Sequence, residues 1–207
     1  MYRIRIHGRA GQGIRTAARV LATAFFREGY KAQESRCDDA QWRGAPMTAH
    51  LQATARSVLD HRVIDSPDLV IVVDETLLAL PGSGTLSSLS RQTVLLVCSR
   101  LRGEALRPLL RVPSRVVVLD PADAQTSASL MAMRSLGAAM RLLGVISRPT
   151  LERAVREELA KLGEEAVREN VRQALSGFDA MADDELSVLP ESPAEGDDYQ
   201  SIAGGAS

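Results

Sequence analysis

The chain is short of several residue types, and each shortage closes off a class of function. It holds two cysteines in 207 residues, Cys37 and Cys98. They are too far apart for a CxxC redox pair or a metal knuckle, and too few for an iron–sulfur cluster. The three histidines, His7, His50 and His61, fit no HExxH-type zinc spacing. Three Phe, three Tyr and one Trp offer few surfaces for a base to stack on. The basic residues form no dense run either, so nucleic acid is not an expected partner. No apolar run reaches the roughly 18 residues that cross a bilayer, so no membrane span is expected. The opening MYRIRIHGRAG lacks the apolar stretch of a secretory leader. A cytoplasmic protein with free thiols is the expectation.

Lysine is nearly absent. Only Lys31 and Lys161 are lysines, so arginine supplies almost all of the 25 basic residues. The formal charge of −1 hides an asymmetry. Residues 183–207 hold seven of the 26 acids and none of the bases, which leaves the first 182 residues at +6. Two readings stand. The tail serves solubility, or the arginine-rich body presents a docking surface for carboxylates or phosphates, which the guanidinium binds in pairs.

What is present fits one folded domain. With 45% apolar and 25% charged residues, the chain has an ordinary globular composition. Tyr2 to His7 alternates like a strand, and a glycine turn, Gly8 to Gly13, follows at once. Ile14 to Glu28 has helical spacing and is stopped by Gly29. Short strands are expected at 31–34, 48–54, 93–98 and 115–119. The run Asp68 to Asp74 reads as a buried parallel strand bounded by acids. Helical pieces are expected at 75–80 and 103–110, and a nearly uncharged helix at 126–143, with Gly137 allowing close packing. Pro149 opens a last helical region that Gly163 divides. Ser35 to Pro46 reads as a long polar loop. The fold class is therefore α/β. Residues 1–182 form a Rossmann-like three-layer domain with a mostly parallel sheet and C-terminal helices, and an acidic flexible tail fills 183–207. Ligands of such sheets bind at the carboxyl ends of the strands, which brings Gly8–Gly13, Asp74-Glu75 and Asp120 to one rim.

Several residues on that plan could carry chemistry. The glycine turn is spaced Gly-x-x-Gly-x-Gly, not G-x-G-x-x-G, and Ile14 stands where a P-loop has lysine. Glu34 could stand in for a ribose-binding acid. The turn either merely joins strand to helix or aims its amides and Gln12 at a ligand or neighbouring subunit. Arg43, followed by small residues, could place its guanidinium on a phosphate or carboxylate, with Trp42 as an interface anchor. His7 reads as structural, and His50 and His61 have no evident partner. Cys98 reads as an inert core thiol, Cys37 as a more exposed one. Asp74-Glu75 is either an acid–base pair or the cap of the next helix.

Taken together, the motifs resemble one family. Ile6-His7-Gly8-Arg9-Ala10-Gly11-Gln12-Gly13 is similar to the HGRGGQG opening of the gamma subunit of 2-oxoacid:ferredoxin oxidoreductases. Trp42-Arg43-Gly44-Ala45-Pro46 resembles that family's RRGAP segment, and Pro67 to Asp74 its PDxVIVxD strand. Gly137-Ala138-Ala139, Leu151-Glu152 and Glu169-Asn170-Val171 resemble its closing helices. The similarity spans about residues 2–178. Ala10, Trp42 and the segment Cys37-Asp38-Asp39-Ala40-Gln41 depart from the family pattern, and residue 10 then cannot need a positive φ without strain.

The resemblance implies a non-catalytic subunit of a complex that oxidatively decarboxylates a 2-oxoacid to an acyl-CoA. Thiamine diphosphate, Mg²⁺ and iron–sulfur clusters would sit on other chains, with none in this one. The implied partners are catalytic alpha- and beta-type subunits and a ferredoxin-like or other electron-transfer subunit. Gly8, Arg9, Gly11, Gln12, Gly13, Arg43, Gly44, Ala45 and Pro46 form the set implied to face CoA or a partner. The alternatives are a self-sufficient dinucleotide-binding reductase and a small nucleotide-binding regulatory module.

Overall fold

Strand-period residues at the start of the chain form the centre of the sheet. In the computed structural model, residues 1–37, 42–55, 64, 66–101, 103–121, 126–182 and 188 are described, with backbone alone for 35–37. Six strands are present: β1 (Tyr2–Arg9), β2 (Lys31–Cys37), β3 (Pro46–Thr54), β4 (Leu69–Val72), β5 (Val94–Cys98) and β6 (Arg115–Leu119). They lie in the order β2-β3-β1-β4-β5-β6. The pairs β1–β4, β4–β5 and β5–β6 are parallel, and both pairs made by β3 are antiparallel. Five strands therefore share one direction and β3 alone opposes them, so the mostly parallel sheet expected from the sequence is present.

The helices are α1 (Ile14–Arg27), α2 (Gly103–Leu110), α3 (Ala128–Leu143), α4 (Arg148–Glu158) and α5 (Glu164–Ala180). Glu75–Ala79 and Ala160–Leu162 form short 3₁₀ turns. Helix α1 buries Ala17, Val20, Leu21, Ala24 and Phe25 at helical spacing. It ends where Gly29 takes φ 84°, a conformation that costs glycine nothing. Ile4, Ile6, Leu51 and Leu69 of the sheet join α1, α3, α4 and α5 in one front core. The back of β4–β6 holds a second, smaller core, Val70, Val72, Leu95, Val97 and Val116 against Leu106 of α2.

Glycine sets how closely α3 and α5 approach. A Cβ on Gly137 would lie 1.8 Å from the carbonyl oxygen of Ala174, and one on Gly177 would lie 1.9 Å from that of Arg134. Each backbone thus fills the space a side chain would need on the other helix.

Some boundaries differ from expectation. Strand β2 runs on to Cys37, and β3 begins at Pro46, so the loop between them is shorter than the polar composition suggested. Pairing with β3 on one edge supplies hydrogen bonds that polar side chains do not preclude. The segment at 75–80 is a 3₁₀ turn rather than an α-helix. The acidic tail lies outside the described residues except for Val188. That residue is buried, and its N–H donates to Leu142 O at 2.6 Å.

Candidate functional site

The strand order reverses between β1 and β4, where the neighbours on one side come from β3 and on the other from β4 onwards. The carboxyl ends of β1 and β4 open there into the crevice that such sheets use for ligands. Three segments meet at it: the turn Arg9–Gly13, the turn Trp42–Ala45 before β3, and Asp74 to Thr76 after β4.

Arg9 ties all three together. Its Nε donates to Asp74 Oδ2 at 3.0 Å, Nη1 to Gly44 O at 3.1 Å, and Nη2 to Thr76 Oγ1 at 2.8 Å. Gln12 closes the turn on itself. Its Oε1 accepts from Arg9 N at 2.7 Å, and its Nε2 donates to Asp74 Oδ2 at 3.0 Å. Two backbone bonds, Ala10 N to Ala45 O and Gly44 N to Ala10 O, lace the first two segments. Asp74 also caps the 3₁₀ turn by accepting from Thr76 N at 3.0 Å. Burial raises the Asp74 pKa. The bonds from Thr76 and Gln12 and the charge of Arg9 outweigh that effect and hold it below the usual carboxylate value.

The expected site residues therefore divide by what their atoms do. Arg9 and Gln12 spend these groups inside the protein, and Asp74 is a cap and clamp. A Cβ on Gly8 would crowd the Ile14 side chain at the start of α1. Gly11 and Gly13 hold φ of 94° and 77°, and Gly44 holds 86°. Ala10 is not among the positive-φ residues, as its side chain requires. Ala45 is buried and Pro46 exposed at the start of β3.

Arg43 remains open. It is exposed and makes no hydrogen bond or ion pair among the described residues. Its Nε lies 3.5 Å from where a Cβ on Gly11 would stand, so the side chain lies over the glycine turn. Trp42 beside it is 66% exposed. Below them, Gly13 begins α1 with no side-chain cap and no acid in the first turn. Ser129 of α3 lies 3.6 Å from the Gly13 Cβ position. Two helix N-termini thus approach the same part of the rim, which favours negative charge there.

The other candidates fall elsewhere. Glu34 lies on β2, which β3 separates from β1. A ribose-binding acid sits on the strand next to the glycine turn, so the geometry does not support the dinucleotide reading. Glu34 is half-buried and its pKa is raised by desolvation. Cys98 is buried, and burial pushes its thiol up to about 11, which makes it unreactive. His7 is buried against Thr48. His61 and the side chain of Cys37 lie outside the described residues. Among the described residues, no three His, Cys, Asp or Glu side chains converge as a metal site.

Comparison with known proteins joins this geometry to a family. Residues 3–180 match the family model described as pyruvate ferredoxin/flavodoxin oxidoreductase. The chain belongs to that family. The pyruvate synthase subunit PorC of Thermotoga maritima is 28% identical over 182 residues, spanning 86% of this chain and 93% of the relative. The pyruvate/ketoisovalerate oxidoreductases common subunit gamma of Thermococcus litoralis is 30% identical over 176 residues, or 82% and 95% of the two chains. The crystal structure of the Thermotoga maritima subunit superposes with TM-score 0.69 over 86% of this chain and 95% of that one. A 2-oxoglutarate:ferredoxin oxidoreductase from Magnetococcus marinus shares the fold, at TM-score 0.64 and 17% identity. It covers 92% of this chain, while this chain covers 33% of it. The fold therefore also occurs within a longer chain.

Proposed function

We propose that this chain is the gamma subunit of a 2-oxoacid:ferredoxin-type oxidoreductase, and that its glycine-turn rim receives CoA or the catalytic subunit. The single observation that carries the reading is Arg43. Its guanidinium lies over Gly11, exposed and unpaired among the described residues, on a rim that Arg9, Gln12 and Asp74 fasten together. An anchored backbone with one free guanidinium beside two helix N-termini suits a phosphate or carboxylate group. Trp42 adds an exposed aromatic surface at the edge of the same patch, the residue type that most often anchors an interface. Thiamine diphosphate, Mg²⁺ and iron–sulfur clusters belong, on this reading, to the alpha- and beta-type subunits and the electron-transfer partner. They supply the decarboxylation and electron transfer. This chain contributes a preorganised contact face.

The test is Arg43→Ala in the assembled complex. A raised KM for CoA with kcat retained supports a CoA contact, and weakened subunit association supports a partner contact. Wild-type KM together with wild-type assembly would remove Arg43 from the site.

A further inference from the structure

The back of β1 and β3 carries buried polar groups that the rim does not use. Ile4 and Ile6 enter the front core, so Arg5 and His7 face the other side of the sheet. The register sets Arg5 opposite His50 and His7 opposite Thr48. Arg5 is 6% exposed and His7 2%. Thr48 Oγ1 and His7 Nδ1 are 3.1 Å apart, and Arg5 Nη2 donates to Ser87 O at 2.6 Å. Among the described residues, Arg5 Nε and His7 Nε2 are buried with no hydrogen-bond partner.

Among the described residues the strip has no ion-paired carboxylate of its own. Desolvation by burial lowers the Arg5 pKa. The carboxylate of Asp68, on the same part of the sheet, is bound by Arg3 through Nε and Nη2. Burial, then Arg5 and His50, push His7 down to about 3. Buried guanidinium groups are ordinarily paired, and a buried N–H without an acceptor is costly. When the Thr48 hydroxyl donates to Nδ1, Nε2 carries the ring proton. Arg5 Nε–H and His7 Nε2–H then both want an acceptor, and an anionic one also supplies the missing charge. Ser87, which closes the strip, is itself exposed. It lies in a loop where Gly82, Gly84 and Ser88 all have positive φ.

We infer that the strip of Arg5 and His7, walled by Thr48 and His50, is a binding site for one small oxoanion of the carboxylate or phosphate class. The site lies on the back of the sheet and goes beyond the role proposed for the rim. An anion there pairs Arg5 and favours the protonated His7 ring.

The full chain is titrated with acetate and with inorganic phosphate, sodium chloride holding ionic strength constant. The midpoint of thermal unfolding rises with the logarithm of oxoanion concentration. The ¹⁵N signals of the His7 imidazole shift, and its titration moves to higher pH. Arg5→Met abolishes both responses. A midpoint that follows ionic strength alone, with His7 signals unmoved, overturns the site. So does an equal response in Arg5→Met. Should Arg5→Met fail to fold, the His7 signals of the wild-type chain decide alone, because they move only if an anion reaches the ring.

Discussion

Asp74 accepts four hydrogen bonds, from Arg9 Nε, Gln12 Nε2, Thr76 N and Thr76 Oγ1. Its carboxylate is therefore the point on which three loops are fastened. Asp74→Asn keeps the shape, removes the charge and places a donor where acceptors are needed. Loss of the charge-assisted bonds should cost about 1–3 kcal/mol, read as a lower midpoint in urea unfolding with unchanged slope. The pH dependence has a definite sign. The folded pKa of Asp74 is depressed, so its contribution is present above the ordinary carboxylate range and is lost as pH falls through the depressed value. The wild-type advantage over Asp74→Asn should thus hold near neutrality and shrink only in strong acid. An equal midpoint at neutral pH would show that the clamp is not structural. At this scale the sequence exposes residue types but not their partners. Asp74 reads as a cap, which it is, and Arg9 and Gln12 read as ligand-facing. Their inward pairing depends on segments 65 and 62 residues away, which no local pattern encodes.

Helices α3 and α5 pack backbone against backbone, and that approach rests on two glycines. Gly137→Ala or Gly177→Ala puts a methyl group within 2 Å of a backbone carbonyl on the partner helix. Neither carbonyl is a flexible side-chain end, so the helices must separate. The expected cost is about 3 kcal/mol or more in the unfolding free energy. Gly82→Ala is the control. Its Cβ would meet nothing within 4 Å, and only its φ of 77° opposes the change, at about 1 kcal/mol. Similar midpoints for the core and control variants would deny the close approach. Gly137 stands out in the sequence because it interrupts an apolar helix. Gly177 does not, since Ser176 and Gly177 near a helix end resemble ordinary termination. Parallel strands are legible as apolar runs bounded by turns. The direction of β3 is not, because its alternation suits either orientation and only the register with β1 settles it.

As a whole molecule, the chain presents a mixed sheet with helices on both faces. Its front face is a deep apolar core, and its switch-point rim is locked from behind by Arg9 and Asp74. The family resemblance was legible because its motifs fall where loops meet the rim, at Gly8–Gly13, Arg43–Pro46 and Asp74. The division of labour among those residues was not, since it depends on which side chains the fold consumes. Hydrogen exchange of the rim amides, compared between the chain alone and the assembled complex with CoA, tests the proposed role most directly. The account predicts that Gly11, Gly13 and the Trp42–Gly44 turn gain protection on assembly or on CoA addition. Unchanged exchange there, with protection confined to other surfaces, would contradict it.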